Sequence, residues 1–215
     1  MQEYHKINAI FKRDMDLPGK PLIMGDYSDP VFEYLAENDW ELTEKIDGTN
    51  IRVMISESGD VTFGGKTDNA SIPAPLVKRL QERFLPQIKI LHELFPEGAC
   101  LYGEGFGAKI QNGGNYGSSQ DFVLFDVKVS SWWLHHKAVE QIAEQLGLMV
   151  VPVVGRGTLE HAINLVRSGL KSAWGDFLAE GVIAKPLIGL FARSGQRIIT
   201  KIKHRDFPSV INQVI

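Results

Sequence analysis

The stretch WELTEKIDGTNIRVMI, Trp40 to Ile55, is where the fold and the chemistry of this chain are first legible together. Leu42 to Ile46 reads as a strand. Ile51, Val53 and Ile55 then alternate with Arg52, Met54 and Ser56, the pattern of a half-buried strand, and Gly48 between the two allows a tight turn. VTFGG, after the Ser58-Gly59-Asp60 turn, adds a third short strand, and the three together are expected to form an antiparallel meander. Lys45 lies near the end of the first strand, between Glu44 and Asp47. Lys45 and Asp47 are two apart and share a strand face, with Glu44 and Ile46 on the other. Two readings stand side by side: a solvated strand end, or a lysine nucleophile with a carboxylate beside it. A lysine attacks only as the neutral amine, a form that nearby cations favour.

Working outward, the remaining sequence bounds the answer. Its 215 residues suffice to bury a core without staples. A composition of 44% hydrophobic and 23% charged residues is that of a globular chain rather than a disordered one. The formal net charge of −3 gives no global support for nucleic-acid binding, so any such surface must be local. The lone cysteine, Cys100, between Ala99 and Leu101, cannot form an intrachain disulfide; this points to a reducing cytosol and a core thiol. The N-terminal MQEYHKINAIFKRD lacks the apolar stretch of a signal peptide, and no run is long enough for a membrane span.

HKINAIFKRD reads as a first strand and MDLPGKPLIMGDYSDP as a loop rich in Pro, Gly and Asp. Asp29 and Pro30 suit the N-cap and N1 of a short helix through Leu35. From Ala74 to Phe95 the period is helical, with Leu76, Leu80, Phe84, Ile88, Leu91 and Phe95 on one face and a break at Pro86. ACLYGEGFG and DFVLFDVKV read as strands. Leu134 to Leu146 reads as a helix closed by Gly147, LMVVPVV as a strand, and Thr158 to Val166 as a capped helix. EGVIAKP and QRIITKIKH are the last strands. Hairpins mixed with helical connections argue for an α+β fold with largely antiparallel sheets flanked by helices.

Three further motifs carry charged side chains on or beside strands. In LYGEGFGAK, Gly103, Gly105 and Gly107 surround Glu104, and missing side chains would let a ligand approach the backbone. A kinase-type glycine loop is the rival reading, but the downstream kinase motifs are absent and the HRDF at His204 lies too near the C-terminus. In EGVIAKP, Glu180 is either a charged strand entry or a hard ligand for Mg2+ or Mn2+. In ITKIKH, Lys201 and Lys203 share a face. They are either edge lysines or a cradle for phosphate whose field would also favour a neutral amine nearby.

In this order EKIDGTN, LYGEGFG, FVLFDV, EGVIAKP and ITKIKH resemble the motifs of the covalent nucleotidyltransferases, the superfamily of DNA ligases, RNA ligases and mRNA capping enzymes. The resemblance runs from Lys45 to Lys203. Gly48-Thr49-Asn50 and FGGKTDNA look most like the phage-type ATP-dependent RNA ligases, since many DNA ligases and capping enzymes place arginine near the position of Asn50. It implies a cytoplasmic enzyme of RNA repair with the ligase-type adenylation fold, in which Lys45 attacks ATP to form lysyl-AMP, AMP passes to an RNA 5′-phosphate, and a 3′-hydroxyl then displaces AMP. It also implies that Lys201 and Lys203 contact the α-phosphate, that Glu180 holds Mg2+ or Mn2+, and that Asp47 serves the metal or the nucleic-acid end. Glu104 would bind the ribose or the metal shell, Phe125 would stack on adenine with Phe122 turned away, and Glu44 would accept from the adenine amino group. Ile46 and Asn50 complete the nucleotide contacts. Lys66 stands where the ligases often have arginine, and so lacks a bidentate fork. Arg52 either faces the same groove or is an ordinary strand arginine.

Only about a dozen residues follow Lys203, too few for a separate domain. The expectation is one adenylyltransferase domain over residues 1–215 with no separate C-terminal domain evident, and room for a protein partner. His135 and His136 would point about 100° apart on a helix and make a poor chelate. Trp132 and Trp133 read as core and rim residues, and the QNGGNYGSS loop, with Lys109, Asn115 and Tyr116, as plain surface. Two alternatives remain: a DNA ligase or GTP-dependent capping enzyme, and a nucleotide- or RNA-end-binding module without turnover.

Overall fold

The structure is a computed structural model that describes residues 3–207. In chain order the strands and helices are β1 (Asn8–Ala9), β2 (Phe11–Arg13), β3 (Leu22–Tyr27), α1 (Pro30–Tyr34), β4 (Trp40–Glu44), β5 (Thr49–Ile55), β6 (Val61–Gly64), α2 (Ala74–Phe84) and α3 (Ile88–Leu94). They continue with β7 (Ala99–Phe106), β8 (Asp121–Val129), β9 (Trp132–Trp133), α4 (His136–Leu146), β10 (Met149–Val150), β11 (Val153–Gly157), α5 (Leu159–Arg167), β12 (Gly181–Pro186) and β13 (Thr200–Lys203). These fall into two compact units. One comprises residues 3–5 and Ile46–Val151, the other Lys6–Lys45 and residues 152–207.

In the second unit a five-stranded sheet runs β1-β13-β12-β4-β11, antiparallel except for the parallel β1–β13 edge. Trp40 and Leu42 of β4, Val182 and Ala184 of β12 and Ile202 of β13 project to one face, where Leu159, Ala162, Ile163 and Val166 of α5 and Phe32 of α1 cover them. Asp29 caps α1 by accepting from the Val31 N–H, and Thr158 caps α5 by accepting from the His161 N–H. β2 and β3 form a separate hairpin. It includes a strand within the stretch read from sequence as loop.

In the first unit the sheet runs β10-β8-β7-β5-β6, with β9 added on β8. One face carries Ile51, Val53, Ile55, Leu101, Phe122, Leu124 and Val127 against Leu76, Leu80 and Phe84 of α2, Leu91 of α3 and Val139, Ala143 and Leu146 of α4. Pro86 sits in a 3-10 turn, Leu85–Gln87, that separates α2 from α3, and this leaves Ile88 40% exposed rather than on the buried stripe. Gly147, left-handed at φ 61°, ends α4.

The α+β class with antiparallel sheets is as the sequence predicts, but the meander is not. β5 pairs with β6 on one side and β7 on the other, whereas β4 pairs with β11 and β12 in the other unit's sheet. The predicted strand LMVVPVV likewise divides at Pro152 into β10 and β11, which join different sheets. No helix among the described residues is long and apolar enough to cross a membrane. Cys100 is 3% exposed, and burial raises its thiol pKa above the ordinary value.

Candidate functional site

β4 ends at Glu44, one residue short of the lysine in question. Its ladder with β12 is nonetheless extended by the Lys45 N–H, which donates to the Gly181 carbonyl at 2.9 Å, while Gly181 lies opposite Lys203 in the β12–β13 register. Lys45, Gly181 and Lys203 therefore occupy one row across three adjacent strands. The middle position must be glycine, because a Cβ there would lie 2.0 Å from the Ile202 carbonyl oxygen. The gap is spanned by Glu180: Lys45 Nζ donates to its Oε2 and Lys203 Nζ to its Oε1, both at 2.6 Å. The Glu180 backbone is fixed by the His204 N–H, which donates to its carbonyl at 2.8 Å.

The side chains of Lys45, Glu180 and Lys203 are 21%, 11% and 13% exposed, so the cluster can be reached but is poorly screened. Burial pushes the Glu180 carboxyl up, yet the charge of Lys45 and the hydrogen bonds from both lysines outweigh it, and its pKa falls below the ordinary value. Lys201 lies opposite Ile183 two rows along, past the Val182–Ile202 pair, and so shares the Lys203 face. Glu44 is 1% exposed, and both its oxygens are engaged: Ser172 Oγ donates at 2.5 Å and the Ala173 N–H at 2.9 Å. No sequence pattern signalled Ser172, which lies 128 residues away.

In the first unit the chain resumes at Ile46, 3% exposed. Strand parity does not relate Asp47 to Lys45, since residues 45–48 are not strand. Asp47 is instead held by the QNGGNYGSS loop: Asn112 Nδ2 donates to its Oδ2 at 2.6 Å, and its N–H donates to Tyr116 Oη at 3.3 Å. The loop read as plain surface is thus an anchor for a candidate residue, while Asn115 on it and Lys109 just before it are exposed. Gly48 passes so close to β7 that a Cβ would lie 2.2 Å from the Gly105 carbonyl oxygen and 2.9 Å from Glu104 Cγ.

Asn50 pairs in register with Glu104, which is half-buried. The glycines flanking Glu104 have a different reason from the one read in the sequence. A Cβ on Gly103 would meet the Phe122 ring at 2.3 Å, and one on Gly105 would meet Leu76 at 2.4 Å. They clear space for the core on the face opposite Glu104, not for a ligand. Phe122 is fully buried there. Phe125 falls at a β-bulge between β7 and β8, stands half-buried on the other side, and meets the Tyr4 ring edge-on at 5.1 Å. A bulge leaves its extra residue unpaired, locally disrupts the ladder and re-aims that side chain.

Arg52 is fully buried. Its Nε donates to the Gly65 carbonyl and its Nη2 to Asp68 Oδ1, both at 2.8 Å, so it braces the turn that carries the exposed Lys66. These bonds make Arg52 an anchor of that turn. Nη1 is buried without a partner.

Among the described residues no group of three His, Cys, Asp or Glu side chains is placed to hold a metal. Mg2+ needs none, because it retains waters and is typically held by one or two carboxylates together with substrate phosphates.

The sequence model of the RNA ligase family matches residues 38–203, a span that contains every candidate residue above. The fold is similar to solved structures of Naegleria gruberi RNA ligase. A mutant of that protein with ATP and Mn superposes with a TM-score of 0.68 at 17% identity, over 96% of this chain and 59% of that one. A mutant apo form gives 0.64 at 21% identity over 82% and 52%, and the structure with PPi gives 0.64 at 19% over 93% and 61%. The chain thus spans between half and two thirds of the length of these relatives. With the family match covering most of its length, this chain belongs to the RNA ligase family.

Proposed function

We propose that the protein is an ATP-dependent RNA ligase that joins RNA 5′-phosphate and 3′-hydroxyl ends through a lysyl-AMP intermediate on Lys45. The observation that carries this reading is the Lys45–Glu180–Lys203 cluster, in which one partly buried carboxylate lies 2.6 Å from both ammonium groups. A structural ion pair needs one cation. A carboxylate held between two lysines on adjacent strands, in a reachable position, fits a nucleophile and a phosphate-binding lysine kept apart from each other until substrate arrives.

In the proposed sequence Lys45 Nζ gives up its proton and attacks the α-phosphorus of ATP. The P–N bond forms, the P–O bond to the β-phosphate breaks, and pyrophosphate leaves. An oxygen of the RNA 5′-phosphate then attacks the same phosphorus, the P–N bond breaks and Lys45 is regenerated. Finally the 3′-hydroxyl, losing its proton, attacks the activated 5′-phosphorus and AMP leaves. Splitting the displacement in this way replaces one difficult step with easier ones. Lys201 and Lys203, on one face of β13, are assigned to the charge that builds on the α-phosphate. Asp47, Asn50, Lys66, Glu104 and Phe125 are assigned to nucleotide or RNA-end contacts by resemblance. Glu44 is locked to Ser172 and Ala173, and only its remaining lone pairs are available to an adenine amino group.

Glu180 fits a divalent cation as a hard oxygen donor whose two present partners are exchangeable lysine side chains. When bound, Mg2+ or Mn2+ would neutralise phosphate charge and orient the leaving pyrophosphate.

The test is a substrate panel under ATP and Mg2+ or Mn2+: 5′-phosphorylated nicked RNA, single-stranded RNA and nicked DNA, each with ATP or GTP. Sealing of RNA with ATP is expected. Sealing of DNA alone, or a requirement for GTP, would refute the assignment.

A further inference from the structure

The second unit carries a groove of about 690 Å3 whose walls hold six cationic side chains, Lys6, Lys12, Arg13, Lys201, Lys203 and Arg205, against a single carboxylate. This concentration stands out in a chain whose net charge is −3. The carboxylate, Asp206, is spent on Arg13: the guanidinium Nη2 donates to both of its oxygens, at 2.8 and 2.9 Å. Lys12 is paired with Asp26 at 2.7 Å, but the two side chains are 55% and 42% exposed, and such surface pairs exchange partners at little cost.

The parallel pairing of β1 with β13 builds this arrangement. It sets Ala9 beside Lys201 and thereby places the segment that begins at Lys6 along the strand that bears both proposed phosphate lysines. Lys203 belongs both to the groove and to the Glu180 cluster that holds Lys45. The volume is in the range of sites for whole ligands rather than for one phosphate. Phe11, the one aromatic residue in the lining, is 4% exposed and packed in the core, so it offers no ring for a base to stack on. A site with many cations and no stacking surface recognises sugar-phosphate backbone and is indifferent to sequence.

We propose that this groove is the track for the phosphodiester backbone of the RNA strand being sealed, leading its end to Lys45. The proposal rests on the RNA ligase reading above. Lys6, Lys12 and Arg205 are its new elements, since none belongs to the nucleotide-reacting cluster.

Binding and adenylylation test it separately. Binding of a 5′-phosphorylated, 3′-labelled single-stranded RNA oligonucleotide is followed by fluorescence anisotropy across a salt series, for wild type, K6A, K6A/R205A and K6E. Self-labelling with α-labelled ATP is measured on the same preparations. Loss of two phosphate contacts lowers the slope of log K against log salt by about 1.4 and weakens binding roughly tenfold at low salt, at about 0.7 per contact on single strands. K6E weakens it further than removal of Lys6 alone, and lysyl-AMP formation stays within about twofold of wild type. Unchanged affinity and slope in K6A/R205A would overturn the proposal. So would loss of lysyl-AMP formation with RNA binding intact, which would give the groove to the triphosphate instead. Failure of the wild type to take up AMP, with binding changed as expected, would instead count against the ligase reading and leave the groove as a nucleic-acid surface.

Discussion

Gly48→Ala is the sharpest single-residue test of how the turn that follows Lys45 is held. The backbone of Gly48 does not lie in the left-handed region, so alanine adds no conformational strain, only a methyl group. That methyl would sit 2.2 Å from the Gly105 carbonyl oxygen, 2.9 Å from Glu104 Cγ and 3.1 Å from the Gly105 carbonyl carbon. The nearest neighbour is backbone within a sheet and cannot swing aside as a flexible side chain would. Relief requires the turn or the end of β7 to move by about an ångström, and overpacking of this kind costs about 1–3 kcal/mol. In a chain of this size about 2 kcal/mol lowers the melting temperature by roughly 4–8 °C. Because Lys45 is three residues before Gly48, the same shift should misplace the nucleophile, and a displacement of about 1 Å can cost about 100-fold in rate. Thermal melts give the first number, and single-turnover label transfer from α-labelled ATP gives the second. A G48A protein that melts within about 1 °C of wild type and labels at the wild-type rate would refute the reasoning.

Other consequences follow from the same contacts. Glu180→Gln leaves Lys45 and Lys203 facing a neutral amide; label transfer should fall at least about 100-fold, with a stability change of about 1–3 kcal/mol in denaturant melts. Asp121 is half-buried, which raises its pKa, but hydrogen bonds from Arg83, Arg79 and the Phe122 N–H more than offset this, so it lies below the ordinary value of 3.8, as Glu180 lies below 4.5. Groups with depressed folded pKa values contribute stability that is present above their unfolded values and lost as pH falls through the folded ones. Urea melts should therefore be flat from pH 7 to about 5 and weaken progressively below about 4.5, with a shallower acid limb in Asp121→Asn; equal stability at pH 3 and pH 7 would contradict this. Arg52→Met keeps most of the buried stem and loses the two hydrogen bonds to Gly65 and Asp68, so it should cost about 1–2 kcal/mol, against about 3–4 kcal/mol for Arg52→Ala. Equal costs in equilibrium unfolding would mean that the guanidinium, not the stem, carries the anchor.

Local chemistry was readable wherever it alone decided the outcome. Asp29 and Pro30, Pro86, Gly147 and Thr158 mark helix ends by capping and φ preference, and the structure has those ends within a residue or two. The odd spacing of Phe122 and Phe125 puts them on opposite sides of β8. The pairing of β4 was not readable, because nothing in residues 40–55 distinguishes a hairpin from two strands handed to different sheets. That choice is made by Val182, Ala184 and the β12 ladder, far along the chain. β3 escaped notice because only Leu22 of it is buried and Gly25 interrupts it, so it lacks a clean alternation. At the site, the shared face of Lys201 and Lys203 came from strand parity, and motif order singled out Glu180 as a candidate. The bridge from Glu180 to both lysines, the Ser172 lock on Glu44 and the Asn112–Asp47 anchor are long-range contacts with no local signature. The glycines around Glu104 mislead for a related reason: a missing side chain looks the same in sequence whether the space is taken by a ligand or by Phe122.

The central claim is that Lys45 carries AMP. The most direct measurement is intact-protein mass spectrometry after incubation with ATP and Mg2+ or Mn2+, followed by peptide mapping of the adduct. The account predicts addition of one AMP, mapped to Lys45, abolished in Lys45→Ala, and discharged when 5′-phosphorylated RNA is added. An adduct mapped to another residue, or undiminished in Lys45→Ala, would contradict it.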